Sequence, residues 1–305
     1  MNKFILNNFL LNSGKKIAKI RLSYYIEGPK LLSAPIVLVI PQLNNSDLIE
    51  NTGCWYKLIG KNKTIDSNKY TILSIDIPGN EFENYKDFNT GDIAQMFLFL
   101  LKKLNIKKLY ALTGYSLGGC IAWELLILSP DICVNFIPIS CSPIANDWLI
   151  AVNSLIHDII LTNSDPLQYA ERISLLFSRN PKIINKKFNG KSNVNNWLYN
   201  KSESMKNKTD IMVYIYLKHL LCSVNICRND NNLEQILSMI QSNVFMISTT
   251  TDILFNIEDA EKYFTLLKKY NLDIEIEHRY LNSDYGHISI FTESDKLIDL
   301  IKDIF

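Results

Sequence analysis

The chain has 305 residues, enough to bury a full core and to form one large α/β domain carrying an insertion. Apolar residues make up 47% and charged residues 21%, the balance expected of a soluble globular protein. A formal net charge of +1 supplies no field to steer nucleic acid or an anionic membrane surface, and no run approaches the ~18 apolar residues of a membrane span, so those partners are excluded.

The opening residues, Met1 to Asn8, are apolar but broken by asparagines and lack a small-residue cleavage site, which makes a poor signal peptide. A cytoplasmic protein is expected. The six cysteines (Cys54, Cys120, Cys133, Cys141, Cys222 and Cys227) include no CxxC pair and no histidine at ligand spacing, so buried thiols are expected rather than disulfides or a metal site. Residues 9–27 alternate apolar and polar around Ser13-Gly14-Lys15, the pattern of a β-hairpin. Continuous apolar strands follow at 34–40 and 70–76, stopped by Pro41 and by Pro78-Gly79. Thr90-Gly91-Asp92 opens a helix whose apolar positions (Ile93, Met96, Phe97, Leu100 and Leu101) keep helical spacing.

The next stretch is the most informative. A buried strand leads from Lys107 into Ala111-Leu112-Thr113, then Gly114-Tyr115-Ser116-Leu117-Gly118, then a helix from Ile121 to Ile127. Strand, tight turn and helix with Gly-x-Ser-x-Gly at the turn is the arrangement that lifts a nucleophilic serine above a sheet edge. It also aims the first N–H groups of the helix, that of Leu117 among them, at a developing oxyanion. A further strand is expected at 133–140. Strands alternating with helices imply parallel crossovers, a doubly wound sheet, and a site at the carboxyl ends of its strands.

Between 143 and 231 the strand pattern vanishes and helices are expected at 149–161, 166–177, 194–205 and 211–222. An all-helical block inserted into a sheet reads as a cap, dividing the chain into a core (1–142 and 232–305) and a lid (143–231). The sheet pattern returns at 243–248, followed by a helix at 258–269, a strand at 273–281 and a last helix at 293–305.

A serine hydroxyl needs a base, and the base needs an orienting carboxylate; in this kind of sheet they follow the serine in the order acid, then histidine. Of the four histidines, His157 and His219 fall in lid helices, and His278 reads as a solvated strand residue. His287 lies in the loop after the last strand and is the candidate base. Asp252, in the loop after 243–248, is the candidate acid, with Asp284 as the rival nearer in sequence.

With these residues identified, the chain resembles the homoserine O-acetyltransferase family of the α/β-hydrolase superfamily, almost end to end. The resemblance rests on Trp55-Tyr56-Lys57-Leu58-Ile59-Gly60 with Ile65-Asp66-Ser67-Asn68-Lys69-Tyr70, on the serine turn, and on lid segments around Ala170-Glu171-Arg172-Ile173 and Tyr214-Ile215-Tyr216-Leu217. It extends to Asp252-Ile253-Leu254-Phe255 and Tyr285-Gly286-His287. It implies an α/β-hydrolase fold and a Ser116–His287–Asp252 triad. It further implies an oxyanion hole from the N–H groups of Leu117 and Leu43, and a substrate carboxylate held by Arg172. The implied reaction is acetyl transfer from acetyl-CoA, a co-substrate rather than a bound cofactor, to homoserine in methionine biosynthesis. Small-molecule substrates and a possible homodimer are implied; metal, nucleic acid and membrane are not. Ester or thioester hydrolysis, or acyl transfer to serine, are the alternatives, since the same triad can use water.

Three departures stand out. Ile288 occupies the position where the family carries an aspartate for the substrate's amino group, the loop after Gly79 is shortened to Asn80-Glu81-Phe82-Glu83-Asn84, and the oxyanion segment carries Pro41 and Asn45. Two alternatives stay open: an acceptor other than homoserine, or a missing charge supplied by Glu81, Glu83 or Asp284.

Overall fold

The computed structural model describes residues 1–41, 55–78, 85–190, 193–206, 210–228 and 232–305. Strands β1 (Asn2–Leu10) and β2 (Lys16–Glu27) form the expected hairpin, which starts earlier than the sequence pattern suggests. Within β1 only Leu6 and Phe9 are buried, so its first half looks like a polar terminus in sequence although it pairs with β2 throughout. Then come β3 (Ile36–Ile40), the single-turn helix α1 (Trp55–Leu58), the short pair β4 (Ile59–Gly60) and β5 (Ile65–Asp66), and β6 (Thr71–Ile75). Helix α2 (Thr90–Lys103) begins at a capping box: the Asn89 side chain accepts the Asp92 N–H, and the Asp92 carboxylate accepts the Asn89 N–H. Strand β7 (Leu109–Tyr115), helix α3 (Leu117–Leu128) and strand β8 (Cys133–Ile139) follow.

After β8 come helices α4 (Asp147–Thr162), α5 (Pro166–Phe177), α6 (Pro181–Phe188), α7 (Val194–Lys206), α8 (Ile211–Cys222) and α9 (Leu233–Ser238). The chain ends with β9 (Asn243–Thr249), α10 (Ile257–Tyr270), β10 (Ile276–Leu281), α11 (Ser289–Thr292) and α12 (Ser294–Ile301). Helices α6 and α9 are additions to the sequence expectation. Among its described residues α6 buries none, so no apolar stripe announces it. Its stop signals are nonetheless local: Asn180 caps the start through the Lys182 N–H, Pro181 sits in the first turn, and Asn189 closes it in the left-handed region at φ 44°.

Eight strands form one sheet in the order β1-β2-β6-β3-β7-β8-β9-β10. From β6 to β10 the neighbours are parallel, while β2 joins β1 and β6 antiparallel. The central strands are apolar on both faces because helices cover both. Leu38, Ile40 and Phe136 pack into one cluster with α2, α3 and α10; Val37, Val39 and Ile139 pack into the other with Trp55, Leu297 and Ile301. The helices after β8 have an apolar cluster of their own, built on Val152, Ile156, Leu167, Ala170 and Ile215. Among the described residues no helix is long and apolar enough to cross a membrane. The five described cysteines are free thiols, Cys120 and Cys133 buried as expected and Cys141, Cys222 and Cys227 only partly so; Cys54 lies outside the described residues.

Candidate active site

Ser116 stands between β7 and α3 with φ 55° and ψ −126°, a conformation that L-residues rarely adopt and that a packed surround must impose. The surround is visible in the two flanking glycines. A Cβ on Gly114 would lie 2.5 Å from the backbone of Gly118, and one on Gly118 would lie 2.2 Å from the Ile40 carbonyl oxygen. Strand β3, strand β7 and helix α3 therefore approach as closely as they do only with glycine at both positions. The Ser116 N–H donates to the Ile139 carbonyl at 3.0 Å, which ties the turn to β8. Leu117 opens α3, so its N–H belongs to the first turn, which a helix leaves without intrahelical partners.

The other two residues come from loops at the same end of the sheet. His287 Nε2 lies 2.9 Å from Ser116 Oγ, and His287 Nδ1 lies 2.6 Å from Asp252 Oδ2. The Asp252 side chain is fully buried. Its Oδ1 accepts the N–H groups of Leu254 at 2.9 Å and Phe255 at 3.2 Å, leaving Oδ2 to the imidazole. With the carboxylate accepting from Nδ1–H, the neutral ring presents its Nε2 lone pair to the serine hydroxyl. This is the arrangement in which an imidazole takes a hydroxyl proton as the oxygen attacks. The ring is also held from its faces: Tyr115 stacks on it at 4.8 Å between centroids, and Phe255 lies at 5.4 Å. The Tyr115 hydroxyl donates to the backbone carbonyl of His287 itself.

Asp284, the rival acid, takes no part. It pairs with Lys182 at 2.9 Å on the surface, and that ammonium holds its carboxyl below the usual range. His278 differs from the solvated strand residue read from the sequence. Its side chain is 1% exposed, with Nε2 2.9 Å from Ser248 Oγ and Nδ1 3.1 Å from Glu261.

The loop carrying His287 is fastened to the helical insertion. The Ile288 N–H donates to the Ser178 carbonyl at 3.3 Å, and Lys182 holds Asp284. Gly286, at φ 73°, has no room for a side chain, because a Cβ would come within 2.7 Å of the Asn180 nitrogen. Ser116 and His287 open onto a cavity of about 370 Å³ walled by α4, α5 and α8, with apolar side chains such as Leu149, Val152, Ile156 and Leu217. Its polar lining includes Asn153, Glu171, Ser174, Arg179, Tyr214 and Lys218. Burial pushes the Glu171 carboxyl up and the Lys218 ammonium down, and each charge partly steadies the other.

Two residues implied by resemblance fare differently from the triad. Leu43 lies outside the described residues, as do Glu81 and Glu83. Arg172 is a correction: it does not line the cavity. Helix α5 advances about 100° per residue, so the stripe facing the cavity is Glu171, Ser174, Leu175 and Ser178, and Arg172 is turned off it. Its guanidinium lies instead over the rings of Tyr169 at 5.0 Å and Tyr199 at 5.5 Å. The sequence pattern assigns no site role to the charged residues that do line the cavity, Glu171, Arg179 and Lys218, although the helical spacing of α5 contains the signal for Glu171.

Residues 35–294 match the α/β hydrolase fold family, and the chain belongs to it. Within that broad class it is similar to homoserine O-acetyltransferases, as the sequence resemblance led us to expect. The homoserine O-acetyltransferase of Nautilia profundicola is 27% identical over 302 residues, covering 83% of this chain and 81% of the relative. The crystal structure of homoserine O-acetyltransferase from Bacillus anthracis superposes with a TM-score of 0.87 at 20% identity, covering 99% of this chain and 96% of that one. An acetylester hydrolase from Corynebacterium glutamicum superposes with a TM-score of 0.83 at 15% identity, covering 99% and 93%. At these identities the structural likenesses speak to the fold alone.

Proposed function

We propose that the protein transfers an acyl group from acyl-CoA to the hydroxyl of a small hydroxy amino acid, with acetyl-CoA and homoserine as the leading pair. In this reading His287, oriented by Asp252, takes the Ser116 proton as Oγ attacks the thioester carbonyl. The tetrahedral oxyanion is held by the N–H groups of Leu117 and Leu43, where each donor is worth about 3–4 kcal/mol of the barrier. Collapse expels CoA, whose sulfur leaves with the proton from His287. The acceptor hydroxyl then gives its proton to His287 and attacks the acyl-serine, and Ser116 leaves reprotonated. Residues 143–231 act as the lid that keeps water from the acyl-enzyme.

The observation that carries the reading is the relay from Asp252 through His287 to Ser116, which opens onto a mostly apolar cavity under α4, α5 and α8. The similarity to homoserine O-acetyltransferases narrows the acyl chemistry from that of the whole fold family. The test is CoA release from acetyl-CoA with and without homoserine. Faster release with homoserine and formation of O-acetylhomoserine by mass spectrometry support transfer, and equal release identifies a hydrolase. Ser116→Ala is expected to abolish either activity.

A further inference from the structure

The helical insertion holds a second cavity that adjoins the catalytic one. It measures about 250 Å³ and lies where α4 and α8 meet the short turn Tyr85–Asp87. Asn153, Ile156 and Lys218 line both spaces, so the two share a wall. The charged lining of the second cavity is basic throughout. Lys86 enters from the turn, His157 from α4, and Lys218 and His219 from α8; among the described residues no aspartate or glutamate lines it. His157 follows Asn153 by four positions on α4, and His219 follows Ile215 by four on α8, so each lies on the helix stripe that lines the space. The relay uses neither histidine. These groups are near enough to act on one another. Burial holds His219 below its ordinary value; donation from its Nε2 to the Phe88 carbonyl at 2.9 Å opposes that, and the charges of Lys86 and His157 press it down further. Burial also holds Lys218 down, with Glu171 acting on it from the side of the catalytic cavity. Like charges gathered in a half-buried space repel and lose hydration, and a bound anion relieves the repulsion. Ammonium and imidazole groups donate as separate points from different directions, unlike the flat fork of a guanidinium. They suit a tetrahedral oxyanion, whose oxygens point several ways, better than a planar carboxylate.

We propose that this second cavity binds a phosphate group. The site stands on its own residues; only the choice of acyl-CoA as the molecule that brings the phosphate rests on the acyl-transfer reading. The other source is a free phosphorylated metabolite.

The test compares the full-length protein with Lys86→Gln and His157→Gln, two positions outside the catalytic cavity. Calorimetry reads the binding of inorganic phosphate and of adenosine 3′,5′-bisphosphate, with acetate at the same ionic strength as the control. The wild type is expected to bind both phosphates and not acetate. Each variant is expected to bind them about 3- to 10-fold more weakly, the range for a partly exposed charged contact. Hydrolysis of p-nitrophenyl acetate, a neutral ester, reports the relay alone and is expected to stay within about twofold in both variants. A matching rise in KM for acetyl-CoA in the variants, with the bisphosphate competing against acetyl-CoA, assigns the phosphate to the acyl donor. An unchanged KM for acetyl-CoA alongside weakened phosphate binding assigns it to a free phosphorylated ligand. Phosphate bound no better than acetate by the wild type, binding undiminished in both variants, or a parallel fall in p-nitrophenyl acetate turnover overturns the proposal. Should His157→Gln fail to fold, Lys86→Gln, on the exposed side chain of the turn, decides. Loss of phosphate binding in the variants of a protein that never turns over acetyl-CoA overturns the proposed reaction and leaves the phosphate site in place.

Discussion

Asp252 shows how much one carboxylate contributes to a site it does not touch chemically. Its two oxygens are divided, one satisfied by the N–H groups of Leu254 and Phe255 and one left for His287. The division fixes which ring nitrogen carries the proton, and so which one is free to accept from Ser116. Asp252→Asn keeps the shape but presents an amide where an acceptor is needed, and the ring is expected to adopt the unproductive tautomer. Turnover of p-nitrophenyl acetate should fall by about 10³- to 10⁴-fold with little change in KM, as measured by steady-state kinetics.

At the scale of elements, the site is made by junctions rather than by helices or strands themselves. The β7–α3 turn, the loop after β9 and the loop after β10 meet at one end of the sheet, and the link from α5 to α6 closes over the last of them. Gly286 is the joint between that link and the histidine loop. Gly286→Ala has to hold an alanine at φ 73° and push the Asn180 backbone outward, at a cost of about 1–2 kcal/mol for the conformation before any clash. The expected outcome is a melting temperature lower by several degrees and a larger than proportionate fall in kcat, because the substituted residue is one peptide bond from His287. Thermal denaturation and kinetics on the same preparation separate the two effects.

For the whole molecule, the dependence of stability on acid follows from histidines buried away from the site. Burial pushes His278 and His219 below their ordinary value of 6.5 in the folded chain. The unfolded chain therefore takes up protons below about pH 6.5 that the folded chain refuses, so stability is lost as the pH falls through that window. His278→Gln removes one such group. Between pH 6.5 and 5.5 its unfolding free energy should vary less steeply than that of the wild type, by at most about 1.4 kcal/mol per pH unit, as measured by urea denaturation. At the alkaline end Cys133, pushed up to about 12 by burial, contributes stability that is lost above its ordinary value of 9.0.

The same whole-molecule view shows what was legible in the sequence. Strands buried on both faces and helices with a regular apolar stripe were readable, and so were Ser116, Asp252 and His287, because a turn motif and the order of strands fix their positions. Helix α6 was not, since its stability comes from caps at Asn180 and Asn189 rather than from an apolar face. The burial of His278 was hidden as well, because its partners Ser248 and Glu261 come from β9 and α10. Arg172 misled for a related reason: resemblance aligns positions along a chain, whereas the pitch of α5 decides which of them look inward.

The bond from Ile288 to the Ser178 carbonyl has a mechanical corollary. The roof and the base share an anchor point, so a displacement of the α5–α6 corner would pull directly on the segment that carries the imidazole. Along this edge any shift of the roof would be felt first by the imidazole and not by the serine, which is tied to β8 through the Ile139 carbonyl.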